Sequence, residues 1–306
     1  MSASTILLYG PTGSGKSTQL GILAEEVYTT TGKKTRVCSA DFGGVDTISP
    51  YMDLGIIELV ELGSSDIWIF LNKVVRGYIK TPDGKWVKDE KRNAEVGAIA
   101  FESAHGIAQL LKMDMERKAG TGTAIGGDSN TSFDIAGDGE KIKIGTTKGY
   151  QKFAIPQAQI LEAIYESFKL PVQYVVWTAG ISKDDDDVTT SKVVGPDVIG
   201  KALTGILPKD FNYTFRIGVV PSQGGKAEKH ILYLGTHIEA QAANATALGN
   251  IRRPLDAPDM TSQTVEPANI VTALKLVRDD ARKSAAEKIR KRIEAAKKGV
   301  QVVTTK

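Results

Sequence analysis

The residues best equipped for chemistry lie near the N-terminus, in "GPTGSGKST", positions 10–18. Gly10, Gly15, Lys16 and Ser17 satisfy the spacing G-x-x-x-x-G-K-[ST], and Pro11, Thr12, Gly13 and Ser14 fill the loop between them. Glycines let such a loop turn tightly and bring backbone N–H groups onto phosphate oxygens. The start of the following helix adds the positive end of its dipole. Lys16 is expected to reach the β- and γ-phosphates, and Ser17 to place its hydroxyl on Mg²⁺. Thr18 is expected to face the α-phosphate. The chemistry implied is binding of a nucleoside triphosphate with magnesium. A glycine-rich turn without a ligand is the alternative, and the context argues against it. An apolar run, "TILLYG", stops at Gly10, and an amphipathic segment follows Lys16.

Such a site needs a second acid at the end of a neighbouring strand. Two positions compete. "GAIAFES" ends in Glu102, and "VCSADFGG" contains Asp41. Ligands of open parallel sheets sit at the carboxyl ends of strands, so both could face the phosphates. Glu102 is assigned to the magnesium shell and Asp41 to positioning or activating water, with the reverse assignment open. Thr178, at the end of "YVVWTA", could sense the γ-phosphate or the attacking water, or be a buried threonine without that role. His105 follows Glu102 closely, and a lone histidine near a helix start is more often structural. No His/Cys/Asp cluster has metal-ligand spacing, so nucleotide-borne magnesium is the metal expected. The single cysteine, Cys38, excludes an internal disulfide framework and reads as a small buried strand residue.

Elements that could position these residues alternate along the chain. Residues 5–10, 35–40, 56–62, 96–101 and 172–179 read as strands, several almost continuously apolar. Residues 16–28, 103–116 and 155–168 read as helices, the last with Pro156 in its first turn. Asp66 is placed to cap a helix through "IWIFLNKVVRGYI". Pro82-Asp83-Gly84 marks a hairpin over 79–88. "NYTFRIGVV" and "KHILYLGTH" read as a late hairpin. Alternating strands and helices predict an α/β fold, a mostly parallel sheet covered on both faces. Residues 119–149 are rich in Gly, Thr, Ser and Asp and read as a flexible insertion with a short hairpin at "KIKIG".

The chain has 306 residues, 25% charged and 41% hydrophobic, which suits a folded core. The reading is a core over 1–260 and a tail over 261–306. From Lys275 to Lys306 the charge is strongly positive, while the remainder is mildly acidic. Ile270, Leu274, Val277, Ala281, Ala285, Ile289, Ile293 and Ala296 form a narrow helical stripe in that tail. Asp279–Lys283, Glu287–Lys291 and Glu294–Lys298 are favourable i,i+4 pairs. The expectation is a long basic helix whose last half is solvated. No run approaches the length of a membrane span, and no signal peptide precedes the first strand, so a cytoplasmic protein without a membrane partner is expected.

Further stretches extend the pattern. "RVCSADFGG", "GAIAFES", "VVWTAG" and "VGPDVIGKALTGILPKDFNYTFRIG" follow the P-loop in that order. Together they resemble phage AAA-type, RecA-like P-loop ATPases, a group that includes single-strand-annealing recombination ATPases. The resemblance covers roughly residues 4 to 255, excluding 119–149. It implies a RecA-like core, ATP hydrolysis, assembly into a ring or filament, and work on DNA, with single-stranded DNA a possible partner. It also implies a cation supplied in trans by a neighbouring subunit, for which Lys226, Lys229, Arg252 and Arg253 are candidates. Two features depart from that group. The magnesium acid there is usually Asp, not Glu. The loop after "VVWTAG" carries four consecutive aspartates, Asp184 to Asp187, which would repel phosphate. The other reading from the sequence is therefore an ATP-driven assembly or switch protein whose partner is a protein.

Overall fold

The computed structural model describes residues 3–40, 44–63, 66–81, 83–88, 90–118, 132–134, 141–143, 151–185, 192–199, 201–221, 228–239, 245–252, 257, 259–260 and 262–303. The first half contains β1 (Ser4–Tyr9), α1 (Lys16–Thr31), β2 (Lys34–Ser39), α2 (Val45–Asp53), β3 (Ile57–Glu61) and α3 (Ile67–Val75). The small hairpin β4 (Ile79–Lys80) and β5 (Trp86–Val87) precedes α4 (Glu90–Ala94), β6 (Val96–Glu102) and α5 (Ala104–Lys118). Two short strands, β7 (Ser132–Asp134) and β8 (Lys141–Lys143), pair with each other within the 119–149 segment. Then come α6 (Gln151–Ser167), β9 (Tyr174–Asp185), β10 (Lys192–Asp197), α7 (Lys201–Asp210), β11 (Tyr213–Pro221) and β12 (Glu228–Tyr233). The chain closes with β13 (His237–Glu239), β14 (Ala245–Ala247), β15 (Asn250–Ile251), β16 (Thr264–Val265), α8 (Ile270–Leu274), a π-helical stretch over Lys275–Asp280 and α9 (Ala281–Val303).

The main sheet runs β3-β2-β6-β9-β1-β11-β12-β16. Its centre, from β3 to β11, is parallel, and β12 and β16 extend it antiparallel. Side chains alternate between the two faces, as the period of a strand requires. Ile6, Leu8, Val37, Ala98, Ala100 and Val176 face one core, shared with α1 and α8. Leu7, Tyr9, Cys38, Ile99, Phe101 and Trp177 face the other, shared with α3, α5 and α6. Burial on both faces explains why these strands read as unbroken apolar runs. Cys38 sits inside this sheet, and burial pushes its thiol pKa up to about 12, so it is inert at neutral pH.

Three expectations change, and α2 appears where the sequence carries no reading. Residues 45–53, left unassigned in the sequence, form α2. Helix α6 begins at Gln151, so Pro156 lies inside it and not in its first turn. Asp66 occupies the position before α3, but in a left-handed conformation (φ 52°) that makes no side-chain cap. The stretch after "VVWTAG" is not a loop at first. β9 continues through Asp184 and Asp185, which pair with Val193 and Lys192 of β10. Asp186 and Asp187 lie outside the described residues.

The tail enters the fold before it leaves it. Ile270, Ala273, Leu274 and Val277 are buried beside the α1 residues Leu20 and Leu23. Asn269 caps α8 by accepting from the Thr272 N–H at 2.9 Å. Arg278 donates from Nη1 to the Tyr174 hydroxyl at 2.8 Å. Farther on, Glu287 and Lys291 pair at 2.8 Å as expected, whereas Asp279 pairs with adjacent Arg278 at 2.8 Å. Lys298 lies where side chains are not described. Ile289 and Ile293 are solvent-exposed. Among the described residues no helix is long and apolar enough to cross a membrane.

Trp177 is fully buried, stacks on Phe101 with ring centroids 4.4 Å apart, and donates to Ser167 Oγ at 3.1 Å. Trp177→Ala is expected to cost about 3–5 kcal/mol of stability, measured by chemical denaturation. A loss below about 1 kcal/mol would contradict the packing described here.

Candidate functional site

The loop between β1 and α1 is held from both sides. The Gly10 N–H donates to Ala179 O of β9 at 3.2 Å, and a Cβ at Gly10 would lie 2.5 Å from Ile217 O of β11. Only glycine fits that approach. Gly15 takes φ 89° at the start of α1, a conformation that favours glycine. Lys16 curls over the loop, its Nζ donating to Gly10 O at 3.0 Å and Pro11 O at 2.8 Å. Ser14 is almost fully buried, and its Oγ has no hydrogen-bond partner.

Glu102 ends β6, only 3% exposed. Its Oε1 accepts from Ser17 Oγ, the first-turn hydroxyl of α1. Its Oε2 accepts from Ser39 Oγ, at the end of β2, at 3.2 Å. Between β6 and the P-loop strand β1 lies β9, with Thr178 near the edge of the site. Thr178 is 1% exposed, and its Oγ1 accepts the Ser103 N–H at 2.9 Å. Ser103 has φ 66°, uncommon for a residue with a side chain, and its Oγ accepts the Gly106 N–H at 3.0 Å at the start of α5. Asp197, opposite Gly180 in the β9–β10 pairing, lies 3.0 Å from His105 Nδ1.

These groups line one cavity of about 550 Å³, shared by Thr12, Lys16, Ser17, Glu102, Thr178 and Asp197 among others. That size suits a small-molecule ligand. A second cavity, about 610 Å³, flanks the other side of the loop, with Thr18, Ile22, Lys229, His230 and Pro267 in its wall. His230 Nδ1 lies 2.9 Å from Ser14 O, so this wall touches the P-loop directly.

The sequence-derived residues thus divide. Gly10, Pro11, Thr12, Gly13, Ser14, Gly15, Lys16, Ser17 and Thr18 form the loop, and Glu102 and Thr178 come to it. Asp41 lies outside the described residues, as do Lys226 and Arg253. Lys229 lines the flanking cavity and pairs with Glu266 at 2.7 Å. Arg252 caps the end of α7, its Nη2 donating to Lys209 O at 2.9 Å. Ser39, Ser103 and Asp197 were missed. Asp197 stood inside the quoted "GPDVIG", but nothing local tied it to His105. Among the described residues no group of His, Cys, Asp or Glu could hold a metal by itself.

The acid strand β6 is separated from the P-loop strand by β9, and the sheet is mostly parallel and flanked by helices. Together with the loop, this defines an α/β fold of the RecA-like P-loop class. No family model matches the chain, and no curated protein matches it. Among solved structures it is similar to a KaiC-like protein, PH0186, from Pyrococcus horikoshii OT3, at 11% identity and a TM-score of 0.39. That match covers 81% of this chain and 89% of the other. It is also similar to the flagellar accessory protein FlaH from Methanocaldococcus jannaschii, at 10% identity and a TM-score of 0.35, covering 76% and 78% of the two chains.

The Asp197 carboxylate raises the pKa of His105 above the usual 6.5, against the opposing effect of partial burial. A raised pKa means that the pairing stabilises the fold fully below about pH 6.5 and fades as pH rises through the folded value. A proton NMR titration of the His105 ring is expected to show a midpoint above 6.5, lowered by Asp197→Asn. A midpoint unmoved by that substitution would count against the pair.

Proposed function

We propose that the chain is a magnesium-dependent ATPase that assembles on itself and acts on DNA in recombination, repair or replication. The observation that carries the ATPase reading is the bond from Ser17 to buried Glu102. It joins the hydroxyl that a P-loop offers to magnesium with an acid able to hold a metal-bound water. The rest of the loop fits a polyphosphate. Lys16 Nζ now rests on carbonyls of its own loop, and Ser14 keeps an unspent hydroxyl within it. Magnesium bound with the nucleotide would neutralise charge on the transferring phosphoryl group.

Each residue then has a distinct task. Lys16 and the loop N–H groups bind the β- and γ-phosphates. Ser17 and Glu102 hold the metal shell. Thr178, fixed by Ser103, senses the γ-phosphate or orients water, and Asp41 is the second candidate for that step. Thr18, Ile22 and Pro267 offer the flanking cavity to the nucleoside. Lys226, Lys229, Arg252 and Arg253 are the cations that a ring or filament could present to a neighbour's site. Among them Lys229 is exposed and pairs with Glu266, and Arg252 donates to the end of α7.

The DNA role rests on the resemblance to phage recombination ATPases and on the basic composition of α9, where Arg282, Lys283, Lys288, Arg290, Lys291 and Arg292 are spread around the helix. Such a protein would work in the cytoplasm of a bacterial host. One observation favours the second reading, a protein partner. Ile289 and Ile293 lie one helical turn apart on that same helix and are 42% and 51% exposed. Apolar side chains so placed suit a helix docking on protein.

Lys16→Ala is expected to abolish ATP binding. Glu102→Gln is expected to retain binding and to lower hydrolysis by about 100-fold or more, measured by phosphate release. Equal activity of Glu102→Gln and the unaltered protein would overturn the assignment. Fluorescence anisotropy with single-stranded DNA is expected to show salt-sensitive binding that weakens on removal of residues 282–306. Absence of binding in every nucleotide state, with ATP-dependent growth in particle size, would favour the protein-partner reading.

A further inference from the structure

The sheet carries a second concave site at the end remote from the P-loop. Ser39 and Glu102 close β2 and β6 on the nucleotide side, whereas Arg36 and Val96 lie toward the opposite ends of the same strands. There a cavity of about 610 Å³ opens among the starts of β2 and β6, the end of α3, α4 and the segment following α6. None of its lining residues belongs to the nucleotide cavities.

Arg36 is the anchor of this cavity. It is 5% exposed, an unusual depth for a guanidinium. Its Nε donates to Glu58 Oε2 at 3.0 Å and its Nη1 to Asn93 Oδ1 at 3.0 Å. Its Nη2 is buried and has no hydrogen-bond partner. A buried charged donor left unbonded is costly and calls for a missing acceptor. A structural arginine would be served by Glu58 and Asn93 alone, with its last nitrogen turned to water. Here that nitrogen is shielded from solvent, and the residue lines a cavity large enough for a ligand.

Cations outnumber acids around the cavity: Lys33, Arg36, Arg76, Lys88 and Lys169 line it against Glu90 and Glu166. Arg76 and Lys169 are committed to Glu162 and Glu166, at 3.3 Å and 2.5 Å. Lys33 and Lys88 line the same cavity, are exposed, and form no ion pair among the described residues. The walls between them are apolar, with Val74, Val75, Leu170 and Val172. A few convergent cationic donors over apolar walls are the features of a pocket for an organic anion.

We propose that this cavity is a binding site for a small organic carboxylate or phosphate, with the anionic group on Arg36, Lys33 and Lys88 and the apolar body against Val74, Val75 and Leu170. An extended nucleic-acid strand suits it poorly, because a concave apolar wall offers no track for a backbone. The proposal does not depend on ATP hydrolysis.

Isothermal titration of the full chain tests it, with Lys16→Ala as background so that the P-loop does not compete for anions. The probes are phenyl phosphate, phenylacetate and benzyl alcohol. One site per chain is expected for at least one of the two anions, about tenfold tighter than for benzyl alcohol. The anion that binds better identifies phosphate or carboxylate as the natural group. Arg36→Gln is expected to abolish binding, but it removes the buried partner of Glu58 Oε2, leaving Glu58 only Arg92, and can lower stability as well. The double substitution Lys33→Glu and Lys88→Glu therefore serves as the second test. It lies on the exposed rim, and it is expected to weaken anion binding about tenfold with an unchanged thermal melt. No binding of either anion would overturn the proposal. So would equal affinity for benzyl alcohol, or anion binding indifferent to the rim reversal.

Discussion

A carboxylate buried as deeply as Glu102 must be bonded, and the way it is bonded organises the molecule. One oxygen takes the hydroxyl of Ser17 and the other that of Ser39. These three residues belong to α1, β2 and β6, so a single side chain ties the first turn of the P-loop helix to the ends of two strands. The tie works only if β9 lies in the correct register between β1 and β6. Tyr9 opposite Ala179 and Phe101 opposite Trp177 set that register. A slip by one residue would turn the apolar faces of β9 outward and carry Thr178 away from Ser103.

The two cores divide the labour around this tie. One, with Trp177 and Phe101, fixes the strands that present Glu102 and Thr178. The other seats α1 and includes α8 from the C-terminal segment. Gln19, one turn into α1, makes the link explicit. Its Nε2 donates to Ala268 O at 3.0 Å, and its Oε1 accepts the Ile270 N–H at 2.7 Å. The C-terminal segment is thus stitched to the P-loop helix before its basic part leaves the body of the protein. Any partner pulling on α9 would pull on the helix that carries Lys16 and Ser17.

Much of this was readable from local pattern. The strand, glycine loop and amphipathic helix of residues 5–28 are a short-range signal, and the parallel strands announced themselves by apolar runs that need cover on both faces. Glu102 was found because it stands where such a strand stops. What escaped depends on distance or on a partner. The pairing of His105 with Asp197 spans more than ninety residues and exists only because β10 folds back along β9. The strand character of Asp184 and Asp185 is imposed by that same pairing, against the low strand preference of aspartate. The left-handed turn at Ser103 has no signature in its residue type. Helix α6 outran its apparent start because Pro156 is tolerated inside it.

The long strand β9 has a mechanical meaning. Its first half is clamped between β1 and β6, and its second half, from Gly180 to Asp185, pairs on one side with β10, beyond which lie β14 and β13. No break in backbone pairing separates Thr178 from the acidic end. At about 3.3 Å per residue, that half projects close to 20 Å from the floor of the site. A small tilt of Thr178 would therefore be magnified at the far end, as a needle magnifies the turn of its pivot. Asp184 and Asp185 stand toward the tip of that needle.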